Sequence, residues 1–371
     1  MGILGPNGES LLTALQAGHF YLRPLRIIHG EAAEKALSVG QGLPLAGSAA
    51  FTSCQIIIRD RGEIQAEEVT VEAFYSWQRK FGLKEESKLQ VLLHRLGQQR
   101  GPVAGSTLSD PVIMGVMNAT PDSFSDCGEQ KTTEQAIMCG RELFAAGAKL
   151  IDVGGESTRP GAHHISAEVE QKRVIPVVRG LVADGIPVSV DTYHPETMLA
   201  ATENGALIIN DVTALTGYAD SAEVAASTGA AIILVHSAKS KIVKRCRAGG
   251  HIAVDVYDYL EDQIEAACAS GVKRSKIMVD PGLGFGKTSG ENFKVLNWLS
   301  LYHGLGCPVM VGASRKFGRL AVGESPRMRL GGSVAAAVHA MNQGVQLIRA
   351  HDVSETVQAL GVWRAIHKAT C

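Results

Sequence analysis

The sequence is short of aromatic residues and of net charge, and it has no long apolar run. Aromatic residues make up 5% of the 371 positions, and 36 basic residues face 37 acidic ones. A chain this close to neutrality is not expected to hold nucleic acid by charge. A membrane span needs roughly 20 apolar residues in a row, and the first residues lack the charged-then-apolar pattern of a signal peptide. The sequence therefore predicts neither a nucleic-acid partner nor a membrane partner.

Cysteine is present but forms no useful pattern. The seven cysteines are odd in number, scattered along the chain and never spaced as C-x-x-C. This spacing argues against a disulfide framework and against a zinc site. Free thiols are typical of proteins kept in a reducing compartment, so the sequence predicts a cytoplasmic location.

What the sequence does contain, from residue 112 onward, is a repeated unit. A short apolar run ends in a polar residue, and a helix-like stretch follows. Continuous apolar runs of this length are typical of strands buried on both faces of a parallel sheet. The runs are VIMGVMN (112–118), KLIDVGGE (149–156), IPVSVDT (186–192), LIINDV (207–212), AIILVH (231–236), KIMVDPG (276–282), PVMVGASRK (308–316) and QLIRAHD (346–352).

Eight such units predict an α/β fold, a (β/α)8 TIM barrel, because eight is the number of strands that closes this barrel. An open doubly wound sheet is the alternative. We disfavour it because no G-x-G-x-x-G follows the first strand.

The first hundred residues break this rhythm. FTSCQIIIRDRG reads as a strand that enters a turn, and SKLQVLLHRLGQQ places four leucines on one helical face. The Gly-, Ser- and Pro-rich stretch before the first barrel strand is typical of a linker. We therefore predict a small N-terminal α/β extension of unknown role over residues 1–100, a linker over 101–111 and the barrel over 112–371.

Polar residues end all eight apolar runs. The carboxyl ends of barrel strands meet at one mouth, which is where active sites form in this fold. One polar residue at a strand end is ordinary because it can simply begin a loop, but eight converging ends predict a binding site. The polar side chains are Asn118, Asp152, Glu156, Asp191, Asn210, Asp211, His236, Asp280, Ser314, Arg315, Lys316, Arg349, His351 and Asp352.

The residue types indicate the ligand. Asp191, Asn210 and Asp280 offer acceptors suited to a flat heterocycle rich in N–H donors, since a carboxylate beside an amide can pair with a guanidine-like edge. Arg349 and His351 are potential cations. Together with the Asn118 amide they suit a phosphate or pyrophosphate, with room for a metal ion. The sequence predicts a polar heterocycle that carries a phosphoryl group.

The segment DPGLGFGKT is similar to a nucleotide-binding phosphate loop but fails its spacing. Pro281 stands where the G-x-x-x-x-G-K-[ST] pattern requires its first glycine. We interpret the segment as a packed turn that contacts the ligand.

Seven motifs of the barrel, in order, resemble those of the dihydropteroate synthase family. They are MNATPDSFSD, DVGGESTRPGA, SVDTY, INDV, DPGLGFGKT, GASRK and RAHDV, and the resemblance covers residues 111–371. It implies a transferase of folate biosynthesis that joins 6-hydroxymethyl-7,8-dihydropterin diphosphate to p-aminobenzoate, with loss of pyrophosphate. The resemblance also implies a homodimer, Mg2+ as cofactor and inhibition by sulfonamides.

The resemblance assigns roles by motif. The pterin is expected at Asp191, Asn210, Asp280, Gly284, Phe285 and Lys316, and the diphosphate at Asn118, Arg349 and His351, with Mg2+ at Asn118. The p-aminobenzoate pocket is expected to involve Phe124, Thr158, Arg159, Pro160 and Ser314. The catalytic residues it implies are Asp126, Lys316 and Arg349.

One departure from the family concerns the turn after the seventh strand. The family has a small polar residue after the lysine, where this sequence has Phe317 followed by Gly318. We expect the ring to narrow the arylamine pocket, and the alternative is that it points back and packs between the barrel and its helices.

Two alternative functions stay open. A pterin-dependent methyltransferase barrel would share the Asp and Asn contacts but has no use for STRPG, SRK or a diphosphate site. A non-catalytic pterin-binding homologue is expected to have lost loop or diphosphate residues, and those residues are present here.

Overall fold

The N-terminal extension is an antiparallel sheet with helices. The structure is a computed structural model that describes residues 20–60, 63–81, 87–119, 132–156, 164–237, 251–316 and 326–369. Strand β3 pairs with β1 on one side and with β2 and β4 on the other. The elements are β1 (Phe20–His29), α1 (Gly30–Ser38), β2 (Leu43–Leu45), β3 (Ala49–Asp60), β4 (Glu63–Thr70), α2 (Val71–Phe81) and α3 (Lys88–Gly97).

The rest of the chain forms an eight-stranded parallel sheet, and each of its strands lies within one of the eight predicted runs. The strands are β5 (Val112–Asn118), β6 (Leu150–Gly154), β7 (Val188–Asp191), β8 (Ile208–Asp211), β9 (Ala231–Val235), β10 (Ile277–Asp280), β11 (Met310–Val311) and β12 (Leu347–Ala350). Their spatial order runs from β10 down to β5 and then to β12 and β11. A parallel bridge between Val279 and Val309 closes the circle. The predicted (β/α)8 TIM barrel is confirmed.

Helices follow the strands and cover the outside of the barrel. Reciprocal capping boxes begin two of them, Thr132 with Gln135 and Thr288 with Glu291, each side chain bonding the other residue's backbone N–H. The helices are α4 (Thr133–Ala145), α5 (Ala167–Ala183), α6 (Pro195–Glu203), α7 (Ser221–Thr228), α8 (Ile252–Ala269), α9 (Ser289–Asn297), α10 (Leu330–Asn342) and α11 (Val353–Lys368). Short 3-10 helices span Arg274–Lys276, Leu299–Leu305 and Pro326–Arg329. None of the described helices is long and apolar enough to cross a membrane.

The inside of the barrel is a packed core. Its buried side chains come from the strands and also from the segment before β5, and they are Val103, Leu108, Val112, Met114, Leu150, Ile208, Ile233, Val235, Met278, Met310 and Leu347. Val103 and Leu108 belong to the stretch predicted to be a linker. This stretch therefore packs against the barrel interior, on the side where the strands begin.

The extension packs on the outer helices of the barrel. Tyr21 donates to Asp258 at 2.7 Å, and Arg59 pairs with both Asp258 and Asp255, all against α8. Arg95 pairs with Glu261 on the same helix at 2.9 Å. The domain boundaries at residues 100 and 111 stay a prediction. The contacts with α8 form the interface between the predicted N-terminal extension and the barrel.

Candidate active site

The strand ends place two predicted pterin residues, Asp191 and Asn210, in one row with the predicted diphosphate residue Asn118. Asn118 of β5 pairs in register with Gly154 of β6, Gly154 with Asp191 of β7, and Asp191 with Asn210 of β8. Gly154 has no side chain to separate its neighbours. A Cβ there would lie 3.4 Å from Asn118 Oδ1 and 3.5 Å from Asp191 Cβ.

Arg349 extends this row from β12, the strand that pairs with β5. Its Nε donates to Asp152 Oδ2 and its Nη2 to Asp191 Oδ2, both at 2.6 Å. The Asn210 amide donates to the same Asp152 oxygen at 3.0 Å. Asp152 is fully buried, and it connects residues that the sequence assigned to two different ligand groups. The sequence placed Asp152 at a strand end but gave it no role, because nothing in the run IDVGG shows which side chains reach it from β8 and β12.

Two acceptor oxygens of this cluster have no partner. Asp152 Oδ1 and Asn210 Oδ1 are buried, and no donor of the described chain reaches them. A buried acceptor without a donor costs about 1–3 kcal/mol. The site therefore favours a ligand with several N–H donors.

A second group of predicted residues lies at the ends of β10 and β11. The Gly282 amide donates to Asp280 Oδ1 at 2.7 Å, and the Lys316 ammonium donates to the Leu283 carbonyl at 2.6 Å. Lys316 Nζ lies 4.5 Å from the centroid of the Phe285 ring. A Cβ on Gly284 would be 3.0 Å from Lys316 Cδ, so glycine lets the lysine lie flat on this turn.

Ser314 and His351 contact each other beside Arg349. Ser314 Oγ accepts from the His351 amide and lies 3.2 Å from its Nδ1. Between Ser314 and Lys316 the backbone takes a left-handed turn at Arg315, with φ of 59°. Arg315 donates to both Asp352 oxygens, at 3.2 and 2.5 Å. The sequence did not predict this ion pair.

Burial changes the protonation of the site. It raises the pKa of Asp191 to about 7, although Arg349 acts in the opposite direction. Burial lowers the pKa of Lys316 to about 8, against the attraction of Asp280. Burial, followed by the charges of Arg349 and Arg315, lowers the pKa of His351 to about 3. The sequence treated His351 as a potential cation, but its ring is neutral near pH 7 and can act only as a hydrogen-bonding group.

Several predicted residues lie outside the described part of the chain. They are Phe124, Asp126, Thr158, Arg159, Pro160, Phe317 and Gly318. Their assigned roles stay predictions. Among the residues that the structure does describe, no group of three or more His, Cys, Asp or Glu side chains could hold a metal ion.

Comparison with known proteins identifies the barrel. A sequence profile of the family described as pterin binding enzyme matches residues 114–351. The dihydropteroate synthase of Escherichia coli K12 is 41% identical over 262 residues, which is 70% of this chain and 92% of that enzyme. The chain belongs to the dihydropteroate synthase family.

Solved structures of dihydropteroate synthases agree with this assignment. The Xanthomonas albilineans dihydropteroate synthase, solved with 4-aminobenzoic acid, has a TM-score of 0.67 and 42% identity over 72% of this chain and 97% of that one. The Yersinia pestis dihydropteroate synthase, solved with a sulfonamide drug, has a TM-score of 0.66 and 40% identity over 71% and 96% of the two chains. The pterin binding enzyme profile begins after the extension, at residue 114 within β5.

Proposed function

We propose that this chain condenses 6-hydroxymethyl-7,8-dihydropterin diphosphate with p-aminobenzoate to give 7,8-dihydropteroate and pyrophosphate. The observation that carries the proposal is the pair of buried acceptors, Asp152 Oδ1 and Asn210 Oδ1, that lack donors among the described residues of a dihydropteroate synthase family member. A pterin presents a row of N–H donors that would satisfy them. Few other small heterocycles offer this pattern of N–H donors and are also consistent with membership of the dihydropteroate synthase family.

The pterin is proposed to lie between the two groups of strand-end residues. Asp191, Asn210 and Asp280 accept its N–H groups, together with the Asp152 oxygen beside Asn210 that no donor of the described chain reaches. Lys316 and Phe285 cover one side, where the ammonium over the ring already makes a cation–π contact. Its lowered pKa leaves most of Lys316 protonated at pH 7, so it donates to an acceptor of the ligand.

The diphosphate is proposed to lie at Asn118, Arg349 and His351. Arg349 is charged because two carboxylates contact it, and these raise its pKa. Charge-assisted bonds from a held guanidinium stabilise a leaving pyrophosphate without reorganisation. His351 donates as a neutral ring.

Mg2+ is the metal that we propose at Asn118. Mg2+ prefers oxygen ligands, keeps several waters and relies on substrate phosphates instead of a protein cage. One amide oxygen beside a diphosphate subsite fits this coordination preference, and Mg2+ would not need a cluster of carboxylates. When bound, the ion would neutralise charge on the diphosphate.

The reaction is proposed to be dissociative. The bond between the pterin methylene carbon and the diphosphate oxygen breaks, and the electron pair leaves with pyrophosphate. The arylamine nitrogen then bonds to the carbon and releases one proton to solvent. We propose that Asp126 stabilises the cation, and that Ser314, Phe124, Thr158, Arg159 and Pro160 form the arylamine pocket.

A pyrophosphate-release assay tests the proposal. Release should require both substrates, and it should match dihydropteroate formation one to one. The same protein without p-aminobenzoate is the control. Pterin diphosphate binding without turnover would instead indicate a non-catalytic homologue, and methyl transfer from methyltetrahydrofolate to a corrinoid would indicate the methyltransferase alternative.

We also propose that the protein is a cytoplasmic homodimer. Light scattering of the purified chain and fractionation of the source cells would test the two statements separately. A monomer at micromolar concentration would contradict the proposed homodimer.

A further inference from the structure

A buried lysine lies behind the pterin residues. Lys287 belongs to the segment that is similar to a phosphate loop, and it is only 9% exposed. Its Nζ lies 2.8 Å from His236 Nδ1, 2.7 Å from the Gly282 carbonyl oxygen and 3.3 Å from the His236 carbonyl oxygen. An ammonium is tolerated in the interior only when acceptors surround it in this way.

These acceptors belong to two neighbouring strand ends. His236 follows β9 and Gly282 follows β10, and the His236 amide donates to the Asp280 carbonyl at 2.9 Å. The two backbones touch so closely that a Cβ on Gly282 would lie 1.8 Å from the His236 carbonyl oxygen. Lys287 bridges this contact.

The bridge supports the turn that carries the pterin contacts. The Gly282 amide holds the Asp280 carboxylate at 2.7 Å. Farther along, Asn292 accepts from the Gly284 amide at 2.8 Å and donates to the Lys287 carbonyl at 3.2 Å. The turn is therefore fixed on both sides of Gly284, and both attachments involve Lys287.

We propose that Lys287 is a positioning residue for pterin binding, because it joins His236 to Gly282 and so holds the turn from Asp280 to Phe285 in shape. The inference rests on the proposed function and adds a residue to it. Lys287 acts through the turn and not through a contact of its own with the ligand.

Lys287 also determines which ring nitrogen of His236 carries the proton. An ammonium can only donate, so His236 Nδ1 accepts and the ring proton is on Nε2. Burial, followed by the charge of Lys287, lowers the pKa of His236 to about 3, so the ring is neutral. An asparagine at position 236 can offer an oxygen close to the place of Nδ1, whereas a phenylalanine offers none.

The first test is calorimetric titration with dihydropterin diphosphate in the absence of p-aminobenzoate. Lys287→Met should weaken pterin binding about tenfold, because three acceptors lose their donor. The KM for p-aminobenzoate should stay within about twofold. The matched control is Lys294→Met, which removes an exposed lysine of α9 and should change neither constant. A folded Lys287→Met protein with the wild-type pterin Kd would overturn the inference.

A pair of variants at position 236 separates the bridge from simple packing. The His236 ring also packs edge-on against Tyr259, with centroids 4.9 Å apart. If the bridge matters, His236→Asn should keep pterin affinity and His236→Phe should lose it. The reverse order would mean that ring packing matters, and it would overturn the inference even if Lys287→Met does not fold. A wild-type protein that binds no pterin would refute the proposed function instead.

Discussion

Arg349 serves two purposes with one side chain. It pairs with the buried carboxylate of Asp152 and the partly buried carboxylate of Asp191, and it is the predicted contact for the leaving diphosphate. Replacing it therefore affects both the fold and the reaction, and the two effects have different measurements.

Arg349→Ala should slow turnover by roughly two to three orders of magnitude, because charge stabilisation of the leaving group is lost. It should also lower the free energy of unfolding by about 3–5 kcal/mol, because the buried Asp152 carboxylate and the partly buried Asp191 carboxylate lose their partner. Pyrophosphate release and urea unfolding measure the two effects. The control is Arg364→Ala. Arg364 lies on α11, and the change breaks its pair with Asp110. Release near the wild-type rate would contradict the assignment.

Asp191 gives the site a pH dependence. Its carboxylate must be ionised to accept pterin N–H groups, and its pKa is about 7. Pterin affinity should therefore rise as the pH passes from 6 to 8. Asp191→Asn should bind the pterin much more weakly and lose this rise, whereas Asp184→Asn on the surface should behave as wild type. An affinity that is flat with pH in the wild type would contradict the prediction.

The same shift has the opposite effect on stability. The pKa in the folded chain is above the ordinary value of about 3.9, so the folded state holds the proton more tightly than the unfolded state. The contribution of Asp191 to the free energy of unfolding therefore falls as the pH rises from about 4 to 7. Comparing urea unfolding of wild type and Asp191→Asn across that range measures it.

At the scale of elements, the turn after β11 directs two site residues toward the strands on either side of β11. Because the backbone at Arg315 has a left-handed conformation, Ser314 reaches His351 while Lys316 reaches Leu283. A left-handed conformation costs about 1–2 kcal/mol for a residue with a side chain. The Arg315–Asp352 pair and a bond from the Arg315 amide to Ser333 at 2.8 Å offset this cost.

A double-mutant cycle tests that pair. Arg315→Gly removes both the strain and the pair, and Asp352→Asn removes only the pair, so their combined effect on unfolding should be less than additive. We expect a coupling of about 1 kcal/mol, reduced by partial exposure. The exposed Arg141–Asp184 pair should give a smaller coupling. Additive effects at Arg315 and Asp352 would show that the pair does not hold the turn.

Strands and strand ends were predictable because each carries its own local signal. An apolar run of about five residues that stops at Asp191 or Asp280 indicates both the strand and the mouth. The partners of Asp152 were not predictable, since Arg349 and Asn210 lie far away in sequence and reach it from β12 and β8, each separated from β6 by one strand. The Gly- and Ser-rich composition of residues 101–111 likewise predicted a linker and did not indicate that Val103 packs inside the barrel.

For the whole molecule, the N-terminal contacts define a truncation experiment. A protein that starts at Gly101 keeps Val103 and Leu108 in the barrel interior but loses Tyr21 and Ile57, which are part of the barrel's main core cluster. It should keep turnover within about threefold and melt at a lower temperature, since apolar surface on α8 becomes exposed.

A second truncation, starting at Asp110, is the matched comparison. It removes Val103 and Leu108 as well, so the barrel interior loses its cover and the protein should not fold stably. Circular dichroism melting and pyrophosphate release compare the two proteins. Insolubility of the longer one would show that the extension is an integral layer of the barrel.

The contact at Gly282 limits how this gene can change. Every missense codon at that position adds a carbon where the His236 carbonyl oxygen already lies. Selection for drug resistance by substitution therefore has no path through this position. A saturation library that is selected for growth without folate should return glycine alone at codon 282, while codon 290, where a Cβ meets nothing of the described chain within 4 Å, should return many residues.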